Sequence, residues 1–320
     1  MKVRERTEER NRMLFRRTVA WWARIDDRVN RHFFHYKAPK GGGGRIQQLR
    51  KPDGSITEDK DEILHMATQY YQDLLAPVHM RQNVELADRV MTCIHPKVSQ
   101  EMEMVLDSPI SRIELSEALR DLRRGACPGP DGLSRDFFEI HWDTVIPSLE
   151  AGVQEIWASG TVPSGMAEGM IYLIPKAAGR SLELRQWRPI TILNTIYKIL
   201  AKVLARRIAS FLPDIIHENQ TGFIKGRCIF DNVFLLWEVM ALADRAVSSS
   251  AILLLDFEKA YDRVLWPFLE RVMRAMGLPQ QWRNCTSALY QTATNSVLVA
   301  GARGPAFQLH RSVRQGCPLA

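Results

Sequence analysis

The stretch that most constrains the fold is AILLLDFEKAYDRVLW, residues 251–266. Ser248, Ser249 and Ser250 precede an apolar run that ends in a carboxylate, Asp256. So short a run, bounded by turn formers, predicts a buried strand and not a helix. A carboxylate at the end of a buried strand must be paired, hydrogen-bonded or metal-bound, and at the rim of a sheet a hard divalent cation is a natural partner. An ordinary acidic strand end fits the same pattern, so the stretch alone leaves both readings open. Residues 258–264 then read as a helical turn, and Pro267 suits the first position of a helix ending at Gly277.

A chain of 320 residues, 46% hydrophobic and 25% charged, is expected to be soluble and globular, with two or three units and a real core. No apolar run approaches the ~18 residues of a membrane span, and the basic, acid-containing N-terminus lacks a signal-peptide core. Neither membrane insertion nor secretion is expected, and the location read from this is intracellular, cytoplasmic or nuclear. Cys93, Cys127, Cys228, Cys285 and Cys317 are scattered without Cys-x-x-Cys spacing, which argues against a disulfide framework or a Cys-rich zinc site. The net charge of +7 is uneven: residues 1–50 hold fourteen Lys/Arg against five Asp/Glu. That balance fits a phosphate-backbone partner or a solvated charged helix.

Residues 1–30 read as a charged helix, followed by the aromatic and basic cluster Arg31, His32, Phe33, Phe34, His35, Tyr36, Lys37. Such a cluster either stacks bases and neutralises phosphates or docks the arm on the main body. Glycines 41–44 read as a linker, since no Gly-Lys-Ser/Thr follows to make a P-loop. Beyond it come a short strand and a turn at Pro52–Asp53–Gly54, then helices over 61–75 and 84–91. Ser111 and Glu114 make a capping box for a helix whose apolar face is Leu115, Ala118, Leu119 and Leu122.

The sequence CPGPDG at 127–132 is a rigid turn leading to Phe137, Phe138 and Trp142. Two short strands, 170–174 and 190–193, deliver Lys176 and Arg188 to one region. Paired cations on a hairpin suit a triphosphate, although surface cations commonly have no such role. Residues 194–212 form the clearest helix, with Ile196, Ile199, Leu200, Val203, Leu204, Ile208 and Phe211 as its core stripe. Lys198, Lys202 and Arg206 line another face, either solvated or following a nucleic-acid backbone. A glycine-punctuated loop over 219–233 enters a further helix, residues 280–290 form another, and 297–299 with 307–309 make a hairpin across 301–305.

Taken in order, these motifs resemble the reverse transcriptases of non-LTR (LINE-type) retrotransposons. PGPDG at 128–132, LIPK at 173–176, RPI at 188–190, QTGFIKGR at 220–227, LLLDFEKAYDRVLW at 253–266 and RQGCPL at 314–319 are similar to successive motifs of that family. FFH at 33–35 and the DG at Asp53–Gly54 resemble its linker region. The resemblance implies an α+β fold, a partial right-hand polymerase with fingers over 106–250, the first part of a palm over 251–320, a basic helical extension over 1–105, and no thumb.

It also implies roles. Asp256, with the Phe257 backbone carbonyl, would hold two catalytic Mg²⁺ ions that activate a primer hydroxyl and stabilise the leaving pyrophosphate. Tyr261 would sit beneath the sugar and exclude a 2′-hydroxyl. Lys176 and Arg188 would hold the incoming deoxynucleoside triphosphate, while Gln315 and Gly316 would contact nucleotide and template. Arg31, Phe33, Phe34, His35 and Lys37 are the residues expected to meet nucleic acid, with an RNA template and a DNA primer as partners.

Ser312 and Ala320 stand where the family tends to have Gly and Ser, and its Tyr-Ala-Asp-Asp type motif does not occur in these residues. One carboxylate against two divalent ions leaves a local charge of about +3, so metal binding is expected to be weak and the chain alone inactive. The strand ending at Asp256 is expected to leave an exposed edge and to favour self-association. The competing reading is a non-enzymatic RNA-binding module built from the basic arm and fingers.

Overall fold

The computed structural model describes residues 46–77, 84–95, 97–176, 181–245 and 251–320. The expectations for the basic arm, including Arg31, Phe33, Phe34, His35 and Lys37, and for the glycine run lie outside the described residues.

The apolar stretch GMIYLIP alternates and then closes into a continuous buried end, and it forms the central strand of a mixed sheet. Naming elements in chain order, this is β3 (Glu168–Pro175), after a small hairpin of β1 (Leu49–Arg50) and β2 (Ile56–Thr57). β3 pairs antiparallel with β4 (Trp187–Leu193), with Ile174 opposite Arg188 and Pro175 opposite Trp187. On its other side β3 takes β5 (Thr294–Val299) in parallel, with Ile171 opposite Val297. A parallel neighbour requires a long crossover, and the helices between β4 and β5 supply it. β6 (Ala302–Arg303) and β7 (Phe307–Gln308) fold back on β5, which corrects the expected hairpin: Leu298 and Val299 pair with Arg303 and Ala302, which the sequence reads as turn, and 307–308 pairs with 294–295. Gly169 permits the tight centre: a Cβ there would lie 2.5 Å from Asn295 Oδ1 and 2.6 Å from Thr191 Cγ2.

The helices form where the apolar spacing and caps put them. They are α1 (Lys60–Leu75), α2 (Val84–Thr92), α3 (Gln100–Leu106), α4 (Arg112–Asp121), α5 (Arg135–Ile140) and α6 (Trp142–Ser159) before the sheet begins. After β4 come α7 (Thr195–Ala209), α8 (Leu212–Ile215), α9 (Ile229–Arg245), α10 (Trp266–Ala275) and α11 (Gln280–Gln291). The Ser111–Glu114 capping box starts α4 as expected, and Pro267 lies in the first turn of α10. In α7, Ile199, Leu200, Val203 and Leu204 are buried, while Ile196 and Ile208, with Phe211 just past the helix end, pack at the margin.

Two of the three cations named on the other face of α7, Lys202 and Arg206, act differently from either reading made of them. Arg206 reaches Asp121 and Glu117, each at 2.6 Å, and Lys202 lies 3.8 Å from Asp121, so this face clamps α7 to α4. Arg207, absent from the expected stripe, is buried. Its guanidinium donates to Glu114 at 2.6 and 2.9 Å and to the carbonyls of Leu106, Ser108 and Pro109, and it lies 5.3 Å from the centre of the Trp157 ring. Burial opposes ionisation of Glu114, but Arg207 and the Ser111 N–H outweigh it and hold the carboxyl below its usual range.

The main correction concerns 251–255. These residues form no strand, and Leu253, Leu254 and Leu255 are exposed, Leu254 at 81%. The segment has no partner: both edges of β3 are taken by β4 and β5, and no described strand pairs with it. α9 is also without a buried residue, leaving Phe234, Leu235, Trp237 and Leu242 exposed.

The turn at 127–132 docks on Asn194. A Cβ on Gly129 would lie 2.5 Å from both the Cα and the N of Asn194, atoms that cannot swing away. Gly129→Ala is expected to cost about 1–3 kcal/mol through overpacking, read as a lowered midpoint in chemical denaturation.

Candidate active site

The β3–β4 hairpin carries two cations, Arg188 within β4 and Lys176 just beyond the end of β3. Arg188 stands opposite Ile174, and Lys176, two residues further along the same face, anchors its backbone N–H on the Gln186 carbonyl at 2.9 Å. On the outer edge of β4 the Thr191 N–H donates to the Gln315 carbonyl at 2.7 Å. Gly316, at φ +114°, passes so close that a Cβ would lie 2.5 Å from the Thr191 carbonyl oxygen. Only glycine fits both the conformation and the approach.

The residues flanking that pair are buried. Arg314 is 2% exposed and donates to the carbonyls of Ala167 at 2.6 Å and Leu289 at 3.2 Å, with its guanidinium 4.6 Å from the centre of the Tyr197 ring. Cys317 Sγ meets the hydroxyl of the same tyrosine at 3.6 Å. Arg314 and Cys317 are thus pinned on Tyr197, and Gln315 with Gly316 is presented between them.

The turn after Asp256 joins this region through the backbone. The carbonyl of Lys259 accepts from the N–H groups of Asp262 at 2.9 Å and Arg263 at 3.1 Å, and residues Tyr261–Arg263 form one turn of 3₁₀-helix. The Tyr261 carbonyl accepts from Val313 N–H and the Val264 carbonyl from Ser312 N–H, both at 2.8 Å. Trp266 Nε1 donates to the Ser312 carbonyl at 2.8 Å. Asp262 is 5% exposed, and burial pushes its carboxyl up to about 6 against the opposing pull of Lys259, Lys176 and Arg311. Lys176 on the hairpin and the turn at Tyr261 are therefore electrostatic neighbours.

Backbone contacts join Gln315 and Gly316 to Thr191 of β4 and Val313 to the turn carrying Tyr261, while Lys176 and Arg188 lie on the β3–β4 hairpin, beside Gln186 and Ile174 respectively. Asp256 and Phe257 lie just before that turn on the exposed segment, Phe257 at 80%. Among the described residues no group of three or more His, Cys, Asp or Glu is placed to hold a metal ion. Asp256 and the Phe257 carbonyl alone do not fit a two-ion site, since hard cations demand more oxygen ligands.

Sequence reasoning missed two contributions. Burial of Arg314 is one; a charged residue is rarely expected in a core. The other is α1, whose Tyr70 hydroxyl accepts a hydrogen bond from Lys259 Nζ, and whose Leu74 and Leu75 carbonyls accept from Arg311 Nε at 2.8 Å and His310 N–H at 3.1 Å. The available signal was the pair Tyr70–Tyr71 near the end of a largely polar helix.

With this geometry in place, comparison with known proteins defines the class. Residues 174–320 match the family described as reverse transcriptase (RNA-dependent DNA polymerase), and that part of the chain belongs to it. The similar curated proteins are named as proteins of transposons and retrotransposable elements. The chain is 35% identical over 295 residues to the transposon TX1 uncharacterized 149 kDa protein of Xenopus laevis, covering 92% of this chain and 22% of the relative. It is 25% identical over 222 residues to the Pol polyprotein of the type-1 retrotransposable element R2 of Popillia japonica, 66% of this chain and 29% of that protein. A further match, 32% over 98 residues, is the probable RNA-directed DNA polymerase from transposon X-element of Drosophila melanogaster, covering 30% of this chain and 11% of the relative. The chain thus spans less than a third of the length of each of these relatives. Among the described residues no helix is long and apolar enough to cross a membrane.

Two measurements follow from the site. Ser312, buried at φ +107°, holds a conformation that favours glycine. Ser312→Gly is expected to raise unfolding stability by about 1 kcal/mol in a denaturant titration. For Asp262 the folded-state pKa lies above the ordinary 3.8, so its contribution to stability is fully present below about 4 and lost as pH rises through about 6. Asp262→Asn removes that titration. Its stability relative to wild type is expected to climb between those pH values, by on the order of 1–3 kcal/mol in pH-dependent unfolding.

Proposed function

We propose that this chain carries the nucleotide-binding part of an RNA-directed DNA polymerase, organised as a basic N-terminal extension (1–105), fingers (106–250) and part of a palm (251–320). The observation that carries the reading is the joining of three distant stretches by backbone hydrogen bonds, Thr191 to Gln315 and Val313 to Tyr261, around Lys176 and Arg188.

In this reading Lys176 and Arg188 bind the triphosphate of an incoming deoxynucleotide. Arg188 offers a planar fork and Lys176 a compact charge, both suited to phosphate oxygens. Tyr261, half-buried and fixed through its carbonyl, blocks the space a 2′-hydroxyl needs. Gln315 contacts the nucleotide, and Gly316 lets backbone approach the template closely. An RNA template and a DNA primer are the macromolecular substrates, and Arg31, Phe33, Phe34, His35 and Lys37 add phosphate and base contacts to the RNA. Polymerases generally use divalent ions, here Mg²⁺, to activate the attacking hydroxyl and neutralise the leaving group. Asp256 and the Phe257 carbonyl would contribute to holding them, and no step is assigned through ions that these ligands alone do not fit.

Equilibrium binding of a deoxynucleoside triphosphate to the 320-residue chain tests the reading. Lys176→Ala and Arg188→Ala are each expected to weaken binding about tenfold, the loss of a charge-assisted hydrogen bond. Unchanged affinity in both variants would sink it. Primer extension on an RNA template by this polypeptide alone is expected to be absent, because Asp256 stands on an exposed segment outside the sheet. Robust synthesis abolished by Asp256→Ala would contradict that expectation.

A further inference from the structure

The turn that follows Asp256 depends on a helix outside the segment matched to the reverse transcriptase family, since α1 ends at Leu75 and the match begins at residue 174. Lys259 sits at φ +52°, a left-handed conformation that costs a non-glycine residue energy and persists only where its surroundings impose it. Two restraints do so. Its carbonyl is held by the N–H groups of Asp262 and Arg263. Its ammonium donates to the Tyr70 hydroxyl and lies 4.2 Å from the centre of the Tyr70 ring.

The same end of α1 holds the neighbouring strand of chain. Arg311 Nε reaches the Leu74 carbonyl and His310 N–H the Leu75 carbonyl, just before Val313 bonds to Tyr261. α1 is itself seated firmly: Tyr71 is fully buried beside Tyr70, their rings edge to face at 5.1 Å. The last two turns of α1 therefore grip both pieces of chain that meet at Tyr261.

We propose that α1 is a working part of the nucleotide site, with Tyr70 a positioning residue that acts through Lys259 to hold the turn carrying Tyr261. The positioning rests on geometry alone; its consequence for sugar selection rests on the function proposed above.

Amide hydrogen exchange on the full 320-residue chain separates the two. Tyr70→Phe keeps the ring and its packing but removes the acceptor. The amides of Asp262, Arg263 and Val313 are expected to exchange about tenfold faster, with α7 amides unchanged as the control for an intact fold. Lys259→Gly adopts the left-handed conformation freely and lacks the ammonium, so adding Tyr70→Phe to it is expected to change nothing further. Unaltered exchange in Tyr70→Phe overturns the proposal, as does an equal acceleration in the Lys259→Gly background. The functional arm is the ratio of dCTP to CTP affinity in Mg²⁺, expected to narrow several-fold in Tyr70→Phe while inorganic tripolyphosphate binds unchanged. An unmoved ratio, with exchange altered, overturns the claim that α1 serves the nucleotide site. If the wild-type chain binds neither nucleotide while exchange responds as expected, the proposed function fails, the claim for sugar selection falls with it, and the mechanical coupling stands.

Discussion

The buried guanidinium of Arg314 is the point on which core and candidate site both depend. A charge in an apolar interior is costly unless hydrogen bonds replace its water. Arg314 obtains two of them, from the carbonyls of Ala167 just before β3 and Leu289 in α11, while its buried Nε keeps no partner, and the guanidinium lies 4.6 Å from the centre of the Tyr197 ring of α7. Three elements that share no sequence neighbourhood are thereby tied to one side chain. The residues that follow gain their placement from it: Gln315 and Gly316 are held against Thr191 because Arg314 and Cys317, on either side, are fixed to one tyrosine.

Other buried arginines work by the same chemistry. Arg207 binds Glu114 and three carbonyls, so the capping box of α4 is also a socket for α7. Arg283, likewise buried, pairs with Glu270 and donates to the Leu278 carbonyl, joining α10 to α11. Carbonyl acceptors at helix ends are otherwise left unpaired, and a forked donor satisfies several at once. These links make the helical layer specific in register, which apolar packing alone enforces weakly.

Of the four described non-glycine residues with positive φ, Lys259 and Ser312 lie where the site is assembled, and Phe223 and Ala300 lie elsewhere. Lys259 and Ser312, both non-glycine residues with positive φ, flank the hydrogen bonds that join the Tyr261 turn to Val313, and Gly316 follows closely. Strained positions persist where surrounding contacts over-determine them, and here α1, the 3₁₀ turn and Trp266 supply those contacts. The segment before the turn has no such support, which is why Asp256 and Phe257 stand exposed.

Much of the secondary structure was legible in local chemistry. The Ser111–Glu114 box, the stripe from Ile199 to Leu204 and Pro267 in the first turn of its helix each depend on residues close in sequence, so short-range pattern predicts them. The hairpin carrying Lys176 and Arg188 was legible for the same reason, and the order of motifs pointed to the reverse transcriptase family. Burial could not be read this way. Residues 251–255 carry a strand's composition, but a strand exists only with a ladder partner, and none of the described strands provides one. Nor could the pattern reveal that Arg314 and Arg207 lie inside, or that Tyr70 grips Lys259, because each depends on acceptors or rings brought from distant parts of the chain. The sequence by itself determined most of the elements and pointed to the family; tertiary structure alone decided whether 251–255 became a strand, which charges are enclosed and which apolar residues stay exposed, since burial is a property of what packs against a residue and not of the residue.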